Sequence, residues 1–305
     1  MRTVHRQPRH PSLRGILLMV LALGAFAMMD TIAKYLSRWY PVPSIVWARY
    51  ACNLAVLCVY LLLTRRFHVW RTQRPTLQIA RGALLAGATT MYFTSLSVMP
   101  LTEAASIGFV LPLFVAALAV PLLKEYLDMP RLLAILAGLG GALIIVRPGS
   151  GVFTWYAILP VGMALCNALY QILTRMLSGV DGSFTSLFYG SLVGALLLSC
   201  AAPWFWAPPE NLWHGGLLLV MGILATLGHL ALIRAYESAT ATLLAPFVYS
   251  QLVWVMMLGW VVFGDFPDGW SLLGMGIIVA SGLYTANRQR LTARRSEIRA
   301  IHRSA

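Results

Sequence analysis

Ten apolar stretches run through this chain in two sets of five, and the second set overlies the first when 140 is added to each residue number. Without gaps, that one shift puts Gly82 on Gly222, Arg49 on Tyr189, Asp30 on Tyr170, Leu132 and Leu133 on Leu272 and Leu273, and Glu125 on Asp265. Five crossings is an odd number, so the second copy must enter a bilayer from the opposite side. The expected fold is therefore all-α integral membrane, with ten transmembrane helices as two inverted five-helix repeats. Two oppositely oriented halves around a central interface are what alternating access requires, which points to transport.

Composition excludes the soluble alternatives. Of 305 residues 59% are hydrophobic and 11% charged, and the mean hydropathy is +0.74, whereas about a quarter of an ordinary soluble domain is charged. The net charge of +13 would suggest nucleic acid in a soluble chain, but the basic residues sit in short connections and tails, where they set membrane orientation. Nucleic acid is not an expected partner; the lipid bilayer and a small-molecule substrate are. Cys52, Cys58, Cys166 and Cys200 fall within apolar segments without CxxC spacing, so they read as small buried hydrophobes, with no disulfide framework, metal site or cofactor implied. The first stretch is too long for a signal-peptide core of roughly 7 to 15 residues and has a partner in the second repeat.

A hydrocarbon core of roughly 30 Å needs about 20 apolar residues at 1.5 Å each. The expected spans are 13 to 36, 44 to 63, 77 to 98, 101 to 122, 129 to 146, 153 to 174, 183 to 203, 211 to 236, 239 to 263 and 268 to 287. Prolines and glycines punctuate nearly every junction. The chain then divides into a basic tail (1–12), repeat 1 (13–147), repeat 2 (153–287) and a second basic tail (288–305). One side of the bundle collects both tails and Arg65, Arg66, Arg71, Arg74 and Arg81; the other has only Arg38 and Arg147. Positive connections stay in the cytoplasm, so both termini are expected there. Small residues four apart, Gly82 with Ala86, Gly138 with Ala142, Gly190 with Gly194 and Gly276 with Ala280, predict close helix packing within each half, or a homodimer contact.

A charge inside a span costs about 2.5 to 3.5 kcal/mol on insertion scales and demands an explanation. Three lie clearly inside: Asp30, Lys34 and Arg49. Asp30 and Lys34 share one face of helix 1, and Arg49 lies about two turns into helix 2 from the same end, so all three can meet. In one reading they form a structural cluster in which Asp30 neutralises a cation. In the other, the surplus positive charge anchors a substrate carboxylate on the planar fork of Arg49. Lys34 could instead snorkel outward, leaving Asp30 with Arg49 alone. Two nearby cations argue against proton coupling at Asp30, and His229 reads as a satisfied interior histidine or a titrating group.

Polar and aromatic residues near mid-depth supply a candidate lining: Asn53, Tyr92, Ser106, Asn167, Tyr170, Gln171, Tyr189, Tyr249, Gln251 and Trp254. Each alone is as compatible with packing as with binding; their concentration in helices 1 to 4, 6, 8 and 9 carries more weight. Pro112, mid-way along helix 4, removes one helix hydrogen bond where transporters often break their helices. Glu103 follows Pro100 in the first turn of helix 4 and reads as a cap.

The repeat and these residues together resemble the drug/metabolite transporter superfamily, in particular its EamA-like ten-helix families. Trp47-Ala48-Arg49-Tyr50 is similar to the family's second helix, Pro112 through Lys124-Glu125 to the end of its fourth, Phe263-Gly264-Asp265 to the end of its ninth, and Arg147-Pro148-Gly149 to the close of its first repeat. Leu252 stands where a proline is common and Asp265 where glutamate is. The resemblance implies a bacterial inner-membrane carrier, often an exporter, of amino acids or other small metabolites. Riboflavin, S-adenosylmethionine and opine-type metallophores are substrates attributed to such families, so an importer of a vitamin or nucleoside-like compound is the alternative. An enzyme is not expected, since the chain has neither HExxH nor GxSxG. A channel or lipid scramblase would share the spans but conduct without alternating access.

Overall fold

The computed structural model describes residues 13–65, 67–111, 114, 115, 117, 118, 122, 129–146, 155–177, 180–239, 244–284 and 287. The described chain is helical, with α1 Leu13–Leu36, α2 Val42–Leu63, α3 Pro75–Val98, α4 Leu101–Gly108, α5 Met129–Val146, α6 Ile158–Leu177, α7 Ser183–Phe205, α8 Leu212–Ser238 and α9 Ser250–Phe263. A tenth, α10, spans Gly269–Tyr284. Prolines open α2 and α3, where the missing amide proton costs nothing. Asn211 caps α8 by accepting from the His214 amide at 2.8 Å. Gly264 ends α9 at φ 74°, a left-handed conformation that glycine adopts without strain.

The helix lengths match membrane crossings. Five of the helices exceed 20 residues and carry strongly apolar windows, and their exposed surface is Leu, Val, Trp and Met rather than charge. The chain is an integral membrane protein of ten helices in two repeats.

The halves are interleaved. Among the described residues the broadest helix contacts are α1 on α8, α3 on α6, α2 on α8, α2 on α7 and α3 on α7, and every one of them joins repeat 1 to repeat 2. The small-residue positions serve that interface, which corrects the expectation of packing within each half. A side chain at Gly82 would strike Val193, one at Gly194 would strike the Tyr50 ring, and one at Gly222 would strike the Cys52 and Asn53 backbone. Gly276, by contrast, has nothing within 4 Å. The reason is that opposed helices approach most closely across the seam where hydrophobic matching gives no other attraction.

These contacts come in exchanged pairs. Gly82 on Val193 becomes Gly222 on Asn53 when 140 is added to the first residue and subtracted from the second. Gly141 against Gly274 becomes Ser281 donating to the Ala134 carbonyl at 2.5 Å. Only a two-fold relation between the halves exchanges contacts in this way. Phe109 and its counterpart Tyr249 stack directly, with centroids 5.5 Å apart and planes inclined by 27°, so they sit on that axis.

Helix directions establish the inversion. The start of α1 meets the end of α8 at Gly15 and Ala239, and the chain just past the other end of α1 meets the start of α8 through Tyr40 and His214. α3 and α6 likewise run antiparallel, from Arg81 beside Thr174 to Met91 beside Gly162. We call the membrane face where α1 begins proximal and the other distal.

Both axial helices break at mid-depth. α4 is regular to Gly108 and then turns, the Val110 amide reaching only to the Ile107 carbonyl at 3.0 Å. Proline at 112 has no amide to offer the Gly108 carbonyl. Pro112 itself lies outside the described residues, as do Lys124, Glu125 and the segment 147–154. In repeat 2 the matching place is a tighter 3-10 segment, Ala245–Tyr249, that precedes α9.

Candidate functional site

Seven helices contribute to a central cavity of about 290 Å³. α3 lines it with a stripe at helical spacing, Leu85, Ala88, Thr89, Tyr92 and Phe93, and α6 does so with Met163 and Asn167, one turn apart. α1 contributes Asp30, α2 Arg49, α8 His229 and α9 Gln251, while Phe109 closes it from the break in α4. Of the residues singled out in the sequence, the structure thus gathers Asp30, Arg49, Tyr92, Asn167, His229 and Gln251 around one space.

Arg49 is 6% exposed and is held by neutral groups. Its Nε donates to the Met29 sulfur at 3.2 Å and its Nη1 to Thr89 Oγ1 at 3.4 Å. Thr89 gives its own proton to the Leu85 carbonyl at 2.8 Å, so its oxygen is left to accept from Arg49 and from the Tyr50 hydroxyl at 3.0 Å. The guanidinium carbon lies 4.8 Å from the Tyr50 ring centroid and 5.9 Å from that of Phe93, a favourable seat for a weakly hydrated cation. Among the described residues no carboxylate is within ion-pairing distance of it. Asp30, 3% exposed, faces it and has the Tyr92 hydroxyl as its hydrogen-bonding neighbour. His229 Nδ1 lies 2.7 Å from the Ala225 carbonyl, so that nitrogen carries the proton and Nε2 is the free acceptor.

Lys34 does not join this group, which corrects the expected meeting of three charges. It shares a helix face with Asp30, but its long stem runs toward the helix end. There Nζ donates to the Met99 carbonyl at 2.7 Å and the Leu96 carbonyl at 3.3 Å, 4.0 Å from Asp265 and 5.3 Å from the Phe263 ring centroid. Lys34 therefore ties α1, the end of α3 and the end of α9 at the distal face.

The remaining candidates lie elsewhere. Asn53 accepts from Ser191 at 2.7 Å in the α2 and α7 seam, and Ser106 donates to the Thr102 carbonyl at 2.6 Å within α4. Tyr170 lies against Arg81, 4.9 Å from its guanidinium, and the Tyr189 hydroxyl donates to the Trp70 carbonyl at 2.9 Å. Gln171 is exposed. Tyr249 stacks on Phe109, and Trp254 lies over Gly24, where α1 has no side chain to hold it off. The cysteines are half-buried or, for Cys200, exposed.

A second polar cluster, at the proximal face, lies outside the expected site residues. Arg81 is 2% exposed and Gln78 fully buried. Arg81 donates to the Ser186 carbonyl and to Thr174 Oγ1, and Gln78 donates to Asp181 at 2.8 Å. Asp181 also accepts from the Thr72 hydroxyl and the Gln73 amide, joining the α2–α3 connection to the α6–α7 turn. Slight burial raises its carboxyl, but the hydrogen bonds from Thr72, Gln78 and Gln73 outweigh it and hold the group below the ordinary carboxylate range. In sequence Arg81 falls among the loop arginines because it follows them closely; its distance of six residues from the opening Pro75 is the signal that places it inside α3.

The EamA-like transporter family model matches residues 13–147 and 154–286, one match for each repeat. The chain belongs to the EamA-like transporter family. It is 30% identical to a riboflavin transporter of Vibrio cholerae over 94% of this chain and 97% of that one. It is 28% identical to an S-adenosylmethionine uptake transporter of Rickettsia conorii, covering 89% and 92%, and 29% identical to a pseudopaline exporter of Pseudomonas aeruginosa, covering 88% and 94%. A solved crystal structure superposes with a TM-score of 0.65 at 19% identity over 92% of this chain and 98% of the other, a likeness of fold. This EamA-like protein is a membrane transporter of small metabolites in the drug/metabolite transporter superfamily.

Proposed function

We propose that the protein is a secondary-active carrier of the bacterial inner membrane that exports a small carboxylate-bearing metabolite, an amino acid or an amino-acid conjugate such as an opine-type metallophore, by alternating access. The observation that carries this reading is the guanidinium of Arg49, facing a cavity of about 290 Å³ without an ion pair among the described residues. A planar cation held by neutral acceptors is ready for a carboxylate, and a bidentate pair there would form in a water-poor setting. The exchange of contacts between the halves supports rocking about the axis at Phe109 and Tyr249. The excess of basic residues on the proximal face supports placing both termini in the cytoplasm.

The names of the relatives support import as a second reading. Riboflavin has no carboxylate or ammonium, so its binding would desolvate Arg49 and Asp30 without compensating either. S-adenosylmethionine carries both kinds of charge and fits the same pair of residues as an amino-acid conjugate.

Flux of a labelled metabolite in proteoliposomes tests the anchor. Losing a charge-assisted hydrogen bond of about 1.5 to 3 kcal/mol predicts a fall of roughly tenfold or more in Arg49→Ala. Arg49→Lys, which keeps charge but not the fork, recovers part of it. Full activity in both variants removes Arg49 from substrate binding.

A further inference from the structure

Asp30 occupies a place where a permanent negative charge is hard to keep. Its side chain is 3% exposed, and the wall around it includes Phe26, Met29, Phe93, Phe109 and Met163. Neither nearby cation pairs with it: Lys34 is drawn along to the carbonyls of Leu96 and Met99, and Arg49 is anchored on Thr89 and Met29. The ionisable groups facing it are Arg49 from α2, Tyr92 from α3 and His229 from α8. α4, α6 and α9 bring Phe109, Met163, Asn167 and Gln251 to the cavity and no ionisable side chain.

A buried carboxylate with one hydroxyl for company has two comfortable conditions: neutral with a proton, or ionised beside a cation that a ligand brings. Building on the zwitterionic cargo proposed above, we infer that Asp30 is an exchange site that holds either a proton or the cationic group of the substrate, never both. When the substrate docks, with its carboxylate on Arg49 and its ammonium or sulfonium at Asp30, the proton leaves Asp30 for the water in the mouth through which the substrate came. When the substrate departs on the other side, Asp30 takes a proton from that side. One substrate moves against one proton, so an outside more acidic than the cytoplasm drives export.

Infrared difference spectroscopy on the full chain in liposomes tests this whatever the natural cargo. A carbonyl band of a protonated carboxylic acid should grow on acidification and be missing in Asp30→Asn. Asp30→Glu should keep the band and Tyr92→Phe should shift its frequency, whereas Asp181→Asn should leave it in place. Added S-adenosylmethionine, a probe with carboxylate and cationic groups, should erase the band at the midpoint pH and release about one proton per protein to an indicator dye. A band that persists in Asp30→Asn overturns the inference. So does a probe whose binding, read from tryptophan fluorescence, leaves the band unchanged. The two readings fail separately: undiminished flux in Arg49→Ala removes the carboxylate anchor with the band intact, while absence of the band removes the exchange site with the Arg49 dependence intact.

Discussion

Individual side chains divide here into those that face the cargo space and those that hold the two ends of the bundle together, and Asp181 is the clearest of the second kind. Its carboxyl sits below the ordinary range because Thr72, Gln78 and Gln73 donate to it. The sign follows: a depressed folded value stabilises the joined connection above the ordinary carboxylate range, and that contribution is lost as pH falls through the folded value. Hydrogen-exchange protection of the Gln73 amide, 3.1 Å from Asp181, should hold at neutral pH and weaken in acid, and Asp181→Asn at neutral pH should reproduce the acid result. Protection unchanged by either would mean that the amide is covered by something else. At this scale the sequence is a partial guide. Depth and polarity pick out Asp30, Arg49, Tyr92, Asn167, His229 and Gln251, since a polar group at mid-membrane must face other protein. The same criterion does not separate them from Asn53 or Tyr170, which are equally deep but satisfied by Ser191 and Arg81. Lys34 escapes it because face periodicity fixes where a Cβ points and not where a four-carbon stem ends.

The helices are legible as spans because each needs enough apolar residues to cross the bilayer, and their ends fall close to the proline and glycine signals. Their partners are not. Gly82 and Gly194 advertise a close approach, but spacing alone does not say to which helix, and the answer lies in the opposite repeat. That interface yields a prediction. At Gly222 a Cβ would meet the backbone of Cys52 and Asn53, which cannot step aside as a side chain can. Gly222→Ala should therefore cost about 1 to 3 kcal/mol, while Gly276→Ala, in open space, should be neutral or stabilising through helix propensity. Thermal unfolding in detergent measures both, and equal shifts would dispose of the argument. The break in α4 is legible too, since proline at 112 dictates it; its counterpart in repeat 2 is not, because Leu252 stands at the matching position and the tightened segment is set by packing instead.

For the whole molecule, the shift of 140 residues announces two copies and their inversion but does not reveal how thoroughly they interlock. The described interfaces of α1, α2 and α3 lie mostly on repeat 2, so neither half carries a complete core. Co-expression of residues 1–150 with residues 151–305 as separate chains should restore transport, whereas either piece alone should be degraded; a stable, monodisperse half would contradict the interlocked packing. The same feature bears on biosynthesis. The first five helices must leave the insertion machinery with their matching surfaces still turned to lipid, and they wait there until their partners are translated. The small residues that make the final seam tight are thus, for that interval, grooves open to acyl chains, and assembly is in large part the displacement of lipid from them.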